Sequence, residues 1–208
     1  MIAIIDYDAG NIRSVEKAVQ HLGRETVLTR DPKEILDAEG VILPGVGAFG
    51  DAMERIRHYG LEKPIKQATD TGKPFLGICL GLQLLFEESE ESPGIKGLGI
   101  LRGKIRKLPA NNNLKVPNIG WNSLEFPRKG KLFRNMSGGT FVYFVHSYYL
   151  EAESPEIVTA TIDYGVTVHA AVESGNIFAT QFHPEKSSAA GLKILDSFLG
   201  CLSHGSAI

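Results

Sequence analysis

The sequence predicts an α/β fold: an open, mostly parallel sheet with helices on both faces and an antiparallel extension in the second half. Two observations lead there. Strand-like and helix-like patterns alternate through the first half of the chain. The second half instead strings together strand-like segments separated by turns and closes on a helix.

Taken in order, residues 1–6 (MIAIID) form a strand, and residues 11–23 (NIRSVEKAVQHLG) an amphipathic helix stopped at Gly23. Residues 25–30 and 40–44 are the next strands, and 50–60 (GDAMERIRHYG) begin a further helical stretch. Residues 73–78 (KPFLGI), opened by Pro74, form a fourth strand, with a helix directly after it over 80–89. Then follow strand-like segments at 98–109, 122–126, 140–150, 156–162, 166–173 and 176–182, and a helix over 189–202. The Asn111-Asn112-Asn113 run reads as an exposed loop. Without repeats, long linkers or other low-complexity runs, one mixed α/β domain over 1–208 is the simplest organisation.

The 208 residues are 43% hydrophobic and 22% charged, an ordinary composition for a globular protein with a substantial core. A net charge of −2 argues against nucleic-acid binding, which rests on a basic surface. The apolar start is too short for a signal peptide or membrane span, so no membrane association is expected. Two cysteines, Cys79 and Cys201, make no disulfide framework, and a cytoplasmic protein with reduced thiols is expected.

Open parallel sheets bind ligands beyond the carboxyl ends of their strands. Four such ends carry unusual residues: Asp6-Tyr7-Asp8, Pro44 to Gly47, Cys79 and His183. Gly45 to Gly50 (GVGAFG) spells the G-x-G-x-x-G of a dinucleotide loop. That reading demands an acidic residue about 20 positions on, at the end of the next strand. Glu62 and Asp70 fall before that strand, which ends instead in a thiol.

Gly77-Ile78-Cys79-Leu80-Gly81 has the form of a nucleophile elbow, with Cys in the place of Ser. A helix N-terminus favours thiolate, and Gln83 lies one turn along the same helix face. The alternative is a buried small hydrophobe, the usual fate of a free cysteine and the role expected of Cys201. A reactive thiol in acyl transfer needs a proton carrier held by a third group. Of six histidines, His21, His58, His169 and His204 suit solvated or packed roles, and His146 in FVHSYY is a candidate. His183 is the better one. Pro184 biases it toward extended backbone, which places Glu185 to hold the imidazole. Zinc is the competing use of His183 and Glu185, but no spaced third or fourth ligand accompanies them. No metal or cofactor is expected.

The elbow cysteine, the late H-x-E and the upstream P-G-x-G loop together resemble the class I (triad) glutamine amidotransferases, over essentially the whole chain. GICLG, PGVG and QFHPE are specific in combination. DYDAGN, PGVGAFGDAM, VPNIGWN and YFVHSYY further resemble one branch of that family, the glutaminase subunits of imidazole glycerol phosphate synthases. That branch more usually carries DYG-x-GN at the start; here Asp8-Ala9 intervenes, away from any triad position. The alternative is a sister amidotransferase of purine, anthranilate or pyridoxal phosphate synthesis, which the triad motifs alone do not separate.

The resemblance implies a flavodoxin-like sheet and glutamine hydrolysis by Cys79, His183 and Glu185. It implies an oxyanion hole from the Leu80 N–H and an N–H of Val46 or Gly47. Gly47, Gln83, Ser147 and Tyr148 would contact glutamine. It also implies a (β/α)8-barrel cyclase partner that consumes the ammonia, with Asn11, Trp121, Tyr143 and Lys186 at the interface. Simpler roles stand beside these: Asn11 as a helix cap, Trp121 as a hairpin anchor, Lys186 as a solvated charge.

Overall fold

A computed structural model describes residues 1–110 and 114–202; the Asn111-Asn112-Asn113 run and His204 lie outside these residues. The first half alternates as expected: β1 (Ile2–Ile5), α1 (Ile12–His21), β2 (Thr26–Thr29), α2 (Pro32–Asp37), β3 (Gly40–Gly45), α3 (Phe49–His58), α4 (Glu62–Asp70), β4 (Phe75–Cys79) and α5 (Leu80–Leu84). The second half adds β5 (Glu88–Ser89), β6 (Gly103–Lys107), β7 (Asn118–Leu124), β8 (Thr140–His146), β9 (Tyr148–Ala152), β10 (Val158–Asp163), β11 (Thr167–Ser174), β12 (Ile177–Thr180) and α6 (Ser188–Leu199).

The main sheet has seven strands in the order β10-β11-β12-β4-β3-β1-β2. From β12 to β2 the pairings are parallel, while β10 and β11 extend the sheet antiparallel. Successive side chains of a strand point to opposite faces, and the core divides accordingly. Ala3, Ile5, Val41, Leu43 and Phe75 pack with residues of α3, α4 and α5. Ile2, Ile4, Ile42, Leu76 and Ile78 face the other way, against Val15 and Val19 of α1 and Ile194, Leu195 and Phe198 of α6. Val15 and Val19, four residues apart, form one helix stripe. Gly23 ends that segment at φ 79°, the left-handed conformation glycine adopts without penalty.

The expected antiparallel extension is therefore confined to β10 and β11. The other late strands form two small separate sheets, β5-β6-β9 and the ribbon β7-β8. Three segments differ from the sequence pattern for identifiable reasons. The helix expected over 80–89 stops at Leu84, because the carbonyls of Leu84, Leu85 and Phe86 accept from the N–H groups of Leu98, Ile100 and Gly99 in the returning chain. The apolar run 140–150 breaks at Ser147, since β8 pairs with β7 and β9 pairs with β6. Residues 31–39, left unassigned by periodicity, hold α2, opened by Pro32 and capped by Asp31, whose carboxylate accepts from Lys33 N at 2.7 Å.

Candidate active site

Four neighbouring parallel strands, β12, β4, β3 and β1, end on the same side of the sheet, so the residues after them meet. Gly45 lies opposite Cys79, and Ile78 opposite Thr180. Tyr7, after β1, is buried and donates from its hydroxyl to Pro44 O at 2.9 Å, tying the β3 end to β1. Burial, joined by the neighbouring thiol, pushes its phenol far above the ordinary tyrosine range, so it stays a neutral donor. Asp8, after β1, adopts φ 63°. Hydrogen bonds from Tyr59 and Arg30 hold its carboxylate there and lower its pKa.

Cys79 carries the strain of the elbow itself, at φ 54° and ψ −107°. The flanking glycines permit close packing. A Cβ at Gly81 would overlap the carbonyl oxygen of Leu43, and one at Gly77 would lie 2.8 Å from Gly81 O. The α5 turn is thus seated directly on the β3 and β4 backbones, and Cys79 is held at its start. With five residues, α5 carries a smaller dipole than the long helix expected at this position. The sulfur lies 3.8 Å from Gln181 Nε2 and 4.0 Å from Val145 O.

His183 Nδ1 is 2.8 Å from Glu185 Oε1, with the two side chains 2% and 1% exposed, so the pair is withdrawn from water. His183 is extended, as the following proline requires, but Glu185 reaches it through a 3-10 turn over Pro184–Lys186 rather than along a strand. Asn11 Nδ2 donates to the same Glu185 oxygen at 3.1 Å, and Asn11 Oδ1 accepts from Ser14 at 2.8 Å. The Asn11 side chain therefore makes no helix cap. Burial presses the His183 pKa down, but the thiol and Glu185 outweigh it and raise the value to about 10. Its Nε2 has no hydrogen-bond partner among the described residues.

The other histidine of the pocket is built differently. His146 Nδ1 meets Tyr148 O at 2.9 Å, and its Nε2 meets Asn118 Nδ2 at 3.1 Å. A carbonyl only accepts, so Nδ1 carries the proton and Nε2 accepts from Asn118. Both nitrogens are used by the protein. Burial, joined by the charge of His183, presses this pKa to about 4. A ring that is neutral and saturated cannot carry protons, which removes His146 as the rival base.

Between these walls lies a cleft of about 350 Å³ lined by Val46, Gly47, Cys79, Gln83, Tyr148 and His183 among others. Leu80 and Ser147 also line it. Gly47 sits at φ 100°, a conformation a side chain would strain. Two residues here escaped sequence reasoning. Gln181 is fully buried beside the thiol. Glu91 lines the cleft and accepts from Phe49 N, at the start of α3, at 2.8 Å. A carboxylate already occupies the helix terminus where a dinucleotide pyrophosphate would sit, which argues against that use of GVGAFG. Beside the cleft, Trp121 and Tyr143 pair across β7 and β8 with ring centroids 6.0 Å apart. Trp121 is 49% exposed with Ile119 and Phe141 also open, and Lys186 is exposed. Cys201 follows α6, partly buried against Ser197 O. Among the described residues, no cluster of three His, Cys, Asp or Glu side chains could hold a metal ion. Among the same described residues, no helix is long and apolar enough to cross a membrane.

Known proteins resemble this chain along nearly its whole length. The chain is 51% identical to the imidazole glycerol phosphate synthase subunit HisH of Moorella thermoacetica, over 98% of this chain and 96% of that one. It is 52% identical to the subunit of the same name of Bacillus cereus, over 96% and 94%. A crystal structure of a glutamine amidotransferase superposes with a TM-score of 0.75 at 20% identity, over 97% of this chain and 99% of that one. PurLQS from Thermotoga maritima superposes with 0.73 at 22%, over 96% and 97%. Those distant likenesses bear on the fold alone. The sequence profile described as glutamine amidotransferase class-I matches residues 3–200, and the chain belongs to that family.

Proposed function

We propose that this chain, as a single amidotransferase domain over 1–208, is the glutaminase subunit of an imidazole glycerol phosphate synthase. It hydrolyses glutamine and passes the ammonia to a cyclase partner that forms imidazole glycerol phosphate and AICAR. The pathway assignment is supported by nearly full-length likeness to proteins that carry that subunit name. The roles of the residues are supported above all by one observation, the buried Glu185–His183 pair beside an elbow thiol.

The Cys79 thiolate attacks the side-chain amide carbon of glutamine, and the carbonyl oxygen becomes an oxyanion. The Leu80 N–H and an N–H of Val46 or Gly47 receive it; one such donor is worth about 2.7–4 kcal/mol in the transition state. Imidazolium His183 gives its Nε2 proton to the leaving nitrogen, so ammonia departs and a γ-glutamyl thioester remains. Neutral His183 then takes a proton from water, whose oxygen attacks the thioester and restores the thiolate and imidazolium. Glu185 holds Nδ1 throughout. Gly47, Gln83, Ser147 and Tyr148 contact the substrate. The Glu91 carboxylate on the cleft wall suits the α-ammonium group.

The partner is a (β/α)8-barrel cyclase that docks at the mouth of the cleft. Ile119, Trp121 and Phe141 offer exposed apolar surface there, with Tyr143 and Lys186 alongside. Asn11 links that rim to the triad through Glu185. Glutamine hydrolysis measured with and without the cyclase and its nucleotide tests the assignment. Hydrolysis should rise on addition of both, and imidazole glycerol phosphate should form. Activation by a different acceptor synthase, with none by the cyclase, would overturn it.

A further inference from the structure

The polar network behind the thiol has a fixed direction. Tyr148 O, a main-chain acceptor, receives His146 Nδ1 at 2.9 Å and Gln83 Nε2 at 3.1 Å. An acceptor cannot meet the oxygen of an amide, so Gln83 must present its NH2 group here. The same NH2 lies 3.1 Å from Gln181 Oε1 and supplies its second hydrogen there. With its oxygen committed to Gln83, Gln181 has to turn its own NH2 toward Cys79 Sγ, 3.8 Å away. Gln83 is 5% exposed and Gln181 0%, so no water competes for these positions. The chain of hydrogen bonds starts at a main-chain acceptor, Tyr148 O, and ends on the sulfur.

We propose that Gln181 is a further catalytic residue whose side-chain N–H donates to Cys79 Sγ and stabilises the thiolate, in an orientation imposed from Tyr148 O through Gln83. This rests on Cys79 being the nucleophile of the proposed function. The proton that leaves sulfur resides on His183 Nε2, on the triad side. Gln181 neither gives nor takes a proton; it supplies a fixed dipole where the anion sits. Because β12 pairs with β4, the same strand that brings His183 to the thiol brings Gln181 two residues earlier.

The test is the pH profile of Cys79 alkylation by iodoacetamide, followed by peptide mass spectrometry in a Cys201→Ser background. Gln181→Met removes the donor, and Gln181→Glu keeps the length while placing an acceptor against the sulfur. Loss of a hydrogen bond to a charged group should lower alkylation near neutral pH by about tenfold to a hundredfold in Gln181→Met. Its profile should move toward alkaline pH, and that of Gln181→Glu further still. Melting curves establish that each variant is folded. In the unsubstituted protein, the Gln181 side-chain NH2 resonance should shift as the thiol ionises, and the shift should vanish in Cys79→Ser. That measurement decides the question even if neither Gln181 variant folds. If Cys79→Ser still hydrolyses glutamine, the proposed function fails. If it is inactive while the Gln181 variants keep the original alkylation profile, or the resonance ignores thiol ionisation, this inference alone fails.

Discussion

Two buried histidines face one cleft and are held in opposite states. On one wall, His183 leans on a carboxylate and a thiol, and its pKa rises to about 10. On the other, His146 is fixed between a carbonyl and an amide, and its pKa falls to about 4. Burial penalises the charged form of both. The partner decides the outcome: an anion at hydrogen-bond distance outweighs desolvation, whereas a carbonyl dipole does not. One wall is thereby equipped to move protons, and the other fixes the backbone at Ser147 and Tyr148.

The largest expected effect separates the walls by substitution. His183→Asn should lower kcat for glutamine hydrolysis by about 10³-fold, as loss of a general acid–base does. His146→Asn, whose amide can still donate to Tyr148 O, should lose about tenfold and mainly through KM. Steady-state kinetics in the activated complex would read both. Equal losses in kcat at the two positions would erase the distinction.

The same comparison has a stability signature of intermediate size. His146 has a depressed folded pKa, so its contribution is present above the unfolded value of about 6.5 and is lost as pH falls toward 4. That contribution is on the order of 3 kcal/mol. His183 has a raised folded pKa, so its contribution is present below about 6.5 and is lost as pH climbs toward 10. Melting temperatures across this range should fall on both sides, with His146→Asn flattening only the acid side and His183→Asn only the alkaline one.

The smallest effect lies at the rim. Trp121→Ala should weaken cyclase binding about tenfold, the scale of one interface anchor, and leave the melting temperature of the free chain nearly unchanged. Calorimetric titration reads the first and a melt the second. A large loss of free-chain stability would return Trp121 to the role of hairpin anchor.

The convergence of Cys79, His183 and the Pro44–Gly47 loop was legible because it follows from local patterns. Each ends an apolar strand, and parallel strands end together. The elbow at Cys79 was also legible in GICLG, while the strain it carries and the role of its glycines in packing α5 on β3 and β4 were not. The second wall was not legible. His146 depends on Asn118, 28 residues away on a different strand, and no local spacing encodes a cross-strand partner. The break at Ser147 was hidden for a similar reason: the run 140–150 is uniformly strand-like, and only competing partners in two sheets divide it. Gln181 stood out in the sequence only as part of the QFHPE motif, and Glu91 not at all. Burial beside the cleft gives them meaning. The separate small sheets arise likewise from pairing choices that alternation of polar and apolar residues does not specify.

The elbow thiol, and not the thiol beside α6, is the proposed nucleophile. An electrophilic glutamine analogue bearing a diazoketone, followed by peptide mapping, tests it most directly. One adduct is expected on Cys79, suppressed by excess glutamine and absent in His183→Asn on the same timescale, with Cys201 unmodified. An adduct on Cys201 alone, or labelling of Cys79 that glutamine does not suppress, would contradict it.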